Sequence, residues 1–248
     1  MSDQSGKDWV SDIASKLEYS NVCWHAIPEA LGYELGISFE RNRFRSFGEE
    51  DFVRITPLKW LLLESALNSH IDINCTLFSD LDILWLKIPQ ISSYDVKDNF
   101  IYAQKDFLRY SGKKHFCTGI MLWQRTDANI TQLRNIFRYH ASKIEAGELI
   151  PDEPIFNTFF DVASSEVVQP LEANQYVIGH RIFEVLYSPK FDKLQMIAFH
   201  ANYLYGDNSK SQALLAINAL VSGSKAFIYH SIPIIFSKLR KRIRIRRD

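Results

Sequence analysis

The sequence predicts an α/β fold with a mostly parallel central sheet and helices on both faces. Three observations carry this. Short runs rich in β-branched and aromatic residues alternate along the chain with amphipathic stretches of helical period. Of 248 residues 46% are apolar, with 17 Phe, 11 Tyr and 5 Trp, enough for one large core. No repeat or low-complexity linker interrupts the alternation, so the expectation is a single domain over residues 1–223, followed by an apolar and basic extension over 224–248.

The elements follow in order. In "DWVSDIASKL", Trp9, Val10, Ile13, Ala14 and Leu17 fall at helical spacing, and "NVCWHAI" reads as a short strand. "TPLKWLLLESALNS" predicts a helix capped by Thr56 with Pro57 in its first turn. "INCTLFS", "NFIYAQ" and "TGIMLW" read as strands. "DANITQLRNIFRYHASKIEAG" predicts a long amphipathic helix with Asp127 as its cap and Gly147 as its stop. "DEPIFNTFFDVA" is a further helix, "MIAFHA" a late strand and "NSKSQALLAINALVSG" a closing helix.

Charge and cysteines narrow the function classes. Net charge is zero, but Lys238–Asp248 holds seven of the 29 basic residues and one acid, leaving 22 basic against 28 acidic residues elsewhere. A mildly acidic body is not expected to bind nucleic acid. The basic tail after the apolar "AFIYHSIPIIFSKL" suits peripheral contact with anionic lipid better than a spanning helix. "MSDQSGKDWV" lacks the features of a signal peptide, so a cytoplasmic protein, peripheral to a membrane at most, is expected. Three cysteines, Cys23, Cys75 and Cys117, without a CxxC pair argue against a disulfide framework and a structural zinc site.

The chemistry centres on "TLFSDLDILWLKIP". Asp80 and Asp82 stand where the chain leaves a strand, the end of an α/β sheet at which ligands bind. With 16 Asp, chance alone yields about one Asp-x-Asp, and an isolated Asp after a strand is more often a turn or cap residue. Two carboxylates this close repel, and a divalent cation with hard oxygen ligands is the simplest way to neutralise them.

"FSDLDILWLKIP" resembles the Asp-x-Asp segment of the nucleotide-diphospho-sugar transferase family, glycosyltransferases of the GT-A, Rossmann-like fold. Four more blocks resemble the family in its order. Lys59 lies in the helix before that strand. "YAQKDFLRYSGKKHFCTGIMLWQRT" resembles a strand ending in Asp (Asp106) followed by an Asn-x-Gly strand, where this chain has Cys117, Thr118 and Gly119. "PDEPIFNTFF" resembles an Asp-Gln helix start, with Glu153 in place of Gln, and "FHANYLYGDNSK" resembles the ending that carries His200, Asn202, Gly206 and Lys210.

The resemblance implies a metal-dependent transfer of a sugar from a nucleoside diphosphate, UDP most often, to a hydroxyl acceptor such as a glycan, with retention. It implies Mn²⁺ or Mg²⁺ held by Asp82 and His200, with Asp80 either ligating or holding the ribose and metal waters. Lys59, Asp80, Asp106, Gly206 and Lys210 would bind the nucleotide sugar, with Gly206 allowing close backbone approach and Lys210 placing a cation at the diphosphate. Asp106 and Asp152 would meet sugar hydroxyls. Asp152 and Glu153 are the catalytic candidates, Glu153 as nucleophile, as cation stabiliser or as a mark of altered specificity.

Family members open with an apolar strand, and this chain begins with the helix after it, which leaves a shortened or catalytically impaired chain as an alternative. In that case the fold would serve as a binding or scaffold protein. A haloacid-dehalogenase-type phosphatase also uses Asp-x-Asp, but its motif continues to Thr or Val where this chain has Leu84, and no downstream Asp-Asp pair is present.

Overall fold

The computed structural model describes residues 50–69, 74–91, 100–106, 115–162, 165–202, 204 and 207–223. The helix and strand expected before residue 50, Gly206 and the basic extension lie outside these residues. The described chain is α/β, as expected, and its contacts divide it into two compact units. Of the described residues, the first comprises 50–69, 74–81, 90–91, 100–106, 115–162 and 165–171, and the second 82–89, 172–202, 204 and 207–223.

In the first unit, helices α1 (Glu50–Ile55) and α2 (Leu58–Ser69) precede strand β1 (Cys75–Ser79). The hydroxyl of Thr56, expected as a cap, instead donates backward to the Val53 carbonyl at 2.8 Å. After strand β2 (Ile83–Trp85), which belongs to the second unit, strands β3 (Ile101–Lys105) and β4 (Phe116–Gln124), helices α3 (Asp127–Glu145) and α4 (Asp152–Phe159) and strand β5 (Val168–Leu171) complete the first. The cap of α3 is Thr126, one residue before the expected Asp127, and its side chain accepts from the Asn129 amide at 3.1 Å. Gly147, with φ 81°, ends this helix as expected, since only glycine adopts that backbone without cost.

The first unit's sheet has the order β1-β4-β3-β5. Among the described residues its pairing departs from the mostly parallel sheet expected: β4 runs antiparallel to both β1 and β3, and β3 and β5 are parallel. The segment between Lys105 and Phe116 is too short for the helical crossover that parallel neighbours need, which takes about a dozen residues or more. Trp60, Leu63 and Leu67 of α2, Ile130, Leu133 and Ile136 of α3 and Ile155 and Phe156 of α4 bury against Ile101, Met121 and Trp123 of the sheet. The residues of α2 and α3 recur every three or four positions, the apolar stripe of an amphipathic helix.

The second unit adds β6 (Tyr176–Ile178), helix α5 (Ile182–Tyr187), β7 (Ala198–His200) and helix α6 (Asp207–Val221). Its sheet has the order β2-β7-β6, with β7 antiparallel to β2 and parallel to β6. Helices α1 and α5 and strands β2, β5 and β6 were not anticipated from sequence. Each spans six residues or fewer, too few for a period to declare itself.

Candidate active site

Each unit holds a cluster of charged side chains at strand ends. In the second, β2 and β7 pair Ile83 with His200, and the Ala201 amide donates to the Asp82 carbonyl at 2.8 Å. That register places Asp82, the residue before β2, beside the last residue of β7. His200 Nε2 lies 3.1 Å from Asp82 Oδ1, and Lys210 Nζ, from the first turns of α6, donates to Asp82 Oδ2 at 2.6 Å. Burial pushes the Asp82 carboxyl up, but His200 and Lys210 more than reverse it and hold the group far below the usual carboxylate range. Asp82 is therefore ionised throughout the physiological range, with one face toward an imidazole and one toward an ammonium.

The turn after β7 is fixed from the other side. Asn202 Oδ1 accepts from the Gly179 amide at 2.7 Å, and a Cβ at position 179 would run into the Asn202 carbonyl oxygen. Glycine is required there by close backbone approach. Gly206, the residue assigned that role from sequence, lies outside the described residues.

In the first unit, the ladder brings the C-terminal ends of β1 and β3 to the N-terminal end of β4. The Asp80 amide donates to the Gly119 carbonyl at 2.8 Å, and the Asp106 amide to the His115 carbonyl at 3.0 Å. The β3–β4 register jumps between Ala103, opposite Met121, and Gln104, opposite Cys117. The extra residues, Thr118 to Ile120, bulge away from β3. A glycine inside a strand was the sequence signal for this bulge.

Lys59, buried on α2, reaches the bulge. Its ammonium contacts Asp152 Oδ2 at 2.5 Å, Asp80 Oδ1 at 3.2 Å and the Thr118 carbonyl and hydroxyl at 3.2 and 3.3 Å. Four protein oxygens thus share three donor protons. Burial lowers the ammonium's proton affinity, but Asp152 and Asp80 more than offset this and hold it above the usual lysine range. Asp152 is held below the usual carboxylate range, its burial offset by Lys59 and by the Thr118 hydroxyl, which donates to Oδ2 at 2.5 Å. Asp152 is the first residue of α4, whose cap is Pro151, and its carboxylate reaches Lys59 and Thr118.

The other predicted residues of this unit meet beside that cluster. His115 Nδ1 lies 3.7 Å from Asp106 Oδ2 and 3.8 Å from Glu153 Oε1. Burial, then Asp106 and Asp152, push the Glu153 carboxyl up to about 8, so it carries its proton at neutral pH. The Cys117 thiol hydrogen-bonds Glu153 and is pushed well up, first by burial and then by that carboxyl. Asn157 holds α4 in place: its Oδ1 accepts from the Phe116 amide at 2.8 Å, and its Nδ2 donates to the Phe116 carbonyl at 2.7 Å and the Glu153 carbonyl at 2.8 Å. His115, Thr118 and Asn157 were not picked out from sequence as site residues.

The donor sets fit divalent-cation chemistry. A carboxylate and an imidazole at hydrogen-bond distance, as in Asp82 and His200, suit Mn²⁺ or another borderline ion, and Asp80 precedes Asp82 by two residues.

The comparisons with known proteins agree with the fold. The sequence model of the nucleotide-diphospho-sugar transferase family matches residues 22–214. A crystal structure of the galactosyltransferase LgtC, in complex with donor and acceptor sugar analogues, is similar with a TM-score of 0.50 and 14% identity, covering 90% of this chain and 94% of that one. A glycosyltransferase involved in glycosylation of the major capsid of PBCV-1 follows at 0.46 and 10% identity, covering 83% and 92%, and an active-site mutant of LgtC at 0.47 and 14%, covering 86% and 92%. No curated protein sequence matches the chain.

Proposed function

The chain belongs to the nucleotide-diphospho-sugar transferase family, and from that premise we propose that it moves a sugar from a nucleoside-diphosphate donor, most simply a UDP-sugar, to a hydroxyl acceptor. The observation that carries the reading is the ionised Asp82 between His200 and Lys210, three residues distant in sequence and adjacent in space. With such a cluster in a member of this family, an active transferase is favoured over a scaffold, and the phosphatase alternative has no support.

Breaking a sugar–phosphate bond develops negative charge on the nucleoside diphosphate. Asp82 and His200 would hold a divalent cation, Mn²⁺ or Mg²⁺, which when bound supplies Lewis-acid stabilisation of that charge. Lys210, now held by Asp82, would add a second positive charge to the leaving group. Lys59, expected to bind the nucleotide sugar, has its protons on protein oxygens, and we read its part as fixing the carboxylates of Asp80 and Asp152. Asp152 and Asp106 then offer acceptors to sugar hydroxyls. Glu153, protonated at neutral pH, would offer a sugar oxygen a hydrogen-bond donor in the niche where the resembled pattern has an amide. A protonated acid is a poor nucleophile, so we read Glu153 as a hydrogen-bond donor to the sugar.

No helix among the described residues is long and apolar enough to cross a membrane. Cytoplasmic residence with peripheral lipid contact through the basic extension stays part of the proposal, supported by that extension's charge alone.

The test is a donor screen with Mn²⁺, reading nucleotide and sugar product release for the wild type, Asp82→Ala and His200→Ala. Turnover in the wild type alone supports the reading. Equal rates in all three overturn the assignment of the Asp82–His200 pair, and no turnover or nucleotide-dependent thermal shift with any donor overturns transfer itself.

A further inference from the structure

A second set of metal-ligating side chains lies wholly in the first unit, apart from Asp82 and His200. Asp106 follows β3, His115 precedes β4 and Glu153 stands in the first turn of α4, and one ligand atom from each lies within 4.8 Å of the others. His115 Nδ1 sits at 3.7 and 3.8 Å from the two carboxylates. Those separations are too long for a hydrogen bond to either. They match donors around a common ion, because atoms bound at ~2.0–2.1 Å to one Zn²⁺ stand roughly 3.3–3.8 Å apart over the angles such sites adopt.

The surroundings favour a borderline cation over a hard one. The Asp106 side chain is 3% exposed, His115 19% and Glu153 24%, so the ligand atoms converge in a largely buried niche. Cys117 places a thiol in hydrogen-bond contact with Glu153, at the wall of the same niche. An imidazole, two carboxylates and a neighbouring thiol form a mixed N, O and S set, which selects Zn²⁺ or Co²⁺ over Mg²⁺. Cys117 and Glu153 are also the two positions at which this chain departs from the resembled pattern, each replacing an amide with a group that ligates metal well. The two departures touch.

We propose that Asp106, His115 and Glu153, with Cys117 alongside, form a second divalent-cation site that takes Zn²⁺ or Co²⁺ independently of Asp82 and His200. Asp106 and Glu153 are also placed at the sugar by the proposed function. On that reading, filling this site opposes donor binding, so Zn²⁺ would inhibit where Mn²⁺ activates. The site itself does not depend on that reading.

The test titrates untagged, metal-stripped protein with Co²⁺ and follows the visible bands of bound ion together with stoichiometry by equilibrium dialysis, in the wild type, His115→Ala, Glu153→Gln, Cys117→Ser and Asp82→Asn. His115 is partly exposed and Glu153→Gln is isosteric, so these variants should fold, and far-ultraviolet circular dichroism checks this. The expected result is two equivalents in the wild type, one in His115→Ala and in Glu153→Gln, and retention in Asp82→Asn of the equivalent that these two lose. A single equivalent lost in His115→Ala but kept in Asp82→Asn supports this site and removes the cation from Asp82. Equal stoichiometry in folded His115→Ala and wild type, or a sole equivalent lost only in Asp82→Asn, overturns the proposal.

Discussion

Lys210 donates to Asp82 at 2.6 Å across 128 residues of chain, so an ammonium holds one oxygen of the carboxylate while His200 faces the other. An ammonium already in place neutralises Asp82 without a metal, which lets a buried acid stay ionised and leaves a cation only to share its charge. Asp82→Asn keeps the shape and removes the charge. Turnover with Mn²⁺ should fall by at least ~100-fold, close to 3 kcal/mol of transition-state stabilisation at ~1.4 kcal/mol per tenfold. Steady-state kinetics against metal concentration check this, and an Asn variant within threefold of wild type would show that the carboxylate is not where leaving-group charge is met.

Gly179 leaves room for the Asn202 carbonyl, on the turn that follows His200. Gly179→Ala must push two backbones apart, and overpacking of this kind costs ~1–3 kcal/mol. The melting temperature should fall by several degrees. Because His200 lies two residues from Asn202, affinity for Mn²⁺ with nucleotide should weaken beyond what stability explains. An unchanged melting temperature would mean the turn moves freely, and with it the His200 assignment would lose its rigidity.

Glu153 gives a pH dependence whose sign can be worked out. Its carboxyl titrates at about 8 when folded and at its ordinary value of 4.5 when unfolded. Below ~4.5 both states carry the proton and the group is neutral to stability. Between there and about 8 the unfolded chain has lost a proton that the folded chain keeps, so stability falls with rising pH, and above 8 the loss is complete. Glu153→Gln removes this dependence. In EDTA the variant should match the wild type near pH 4.5 and become progressively more stable than it toward pH 8, by an amount of order a few kcal/mol, with the gap level above that. Urea unfolding at several pH values measures it. A gap that shrinks as pH rises would show that the carboxyl is ionised and paired in the folded protein.

The long, periodic elements were legible in the sequence. Ile130, Leu133 and Ile136 mark the buried face of α3, and Gly147 its end, because helical period and left-handed backbone are local properties. The cap moved by one residue, to Thr126, since Thr and Asp in tandem are both competent and only the third dimension chooses. Sheet direction was not legible: whether β4 returns parallel or antiparallel depends on the path of one short connection, not on the strand's own residues. In the site, Asp82 and His200 were found through motif order, whereas Thr118 and Asn157 act through β4 and α4 meeting each other, which no single segment encodes. Lys59 stood out in sequence as a candidate for the nucleotide sugar, whereas its partners in the structure, at 93 residues' distance in the case of Asp152, are protein carboxylates that no single segment encodes.

That last contact makes the sharpest stability prediction. Lys59 and Asp152 have side chains 9% and 8% exposed, and the Thr118 hydroxyl completes the set around Asp152 Oδ2. Lys59→Met keeps the stem of the side chain and deletes the ammonium, which strands Asp152 as a buried carboxylate with a hydroxyl as its remaining close donor. Breaking one side of such a pair costs ~3–5 kcal/mol, most of it the penalty of the orphaned charge and little of it the net worth of the pair. The double variant Lys59→Met/Asp152→Asn should therefore be more stable than Lys59→Met alone, although it carries one more substitution. Urea denaturation of the wild type, both single variants and the double variant closes the cycle, and the coupling should be at least ~1 kcal/mol in favour of the double. Additive losses would mean that Asp152 finds its charge balance elsewhere, and Lys59 would then be released to meet a phosphate directly.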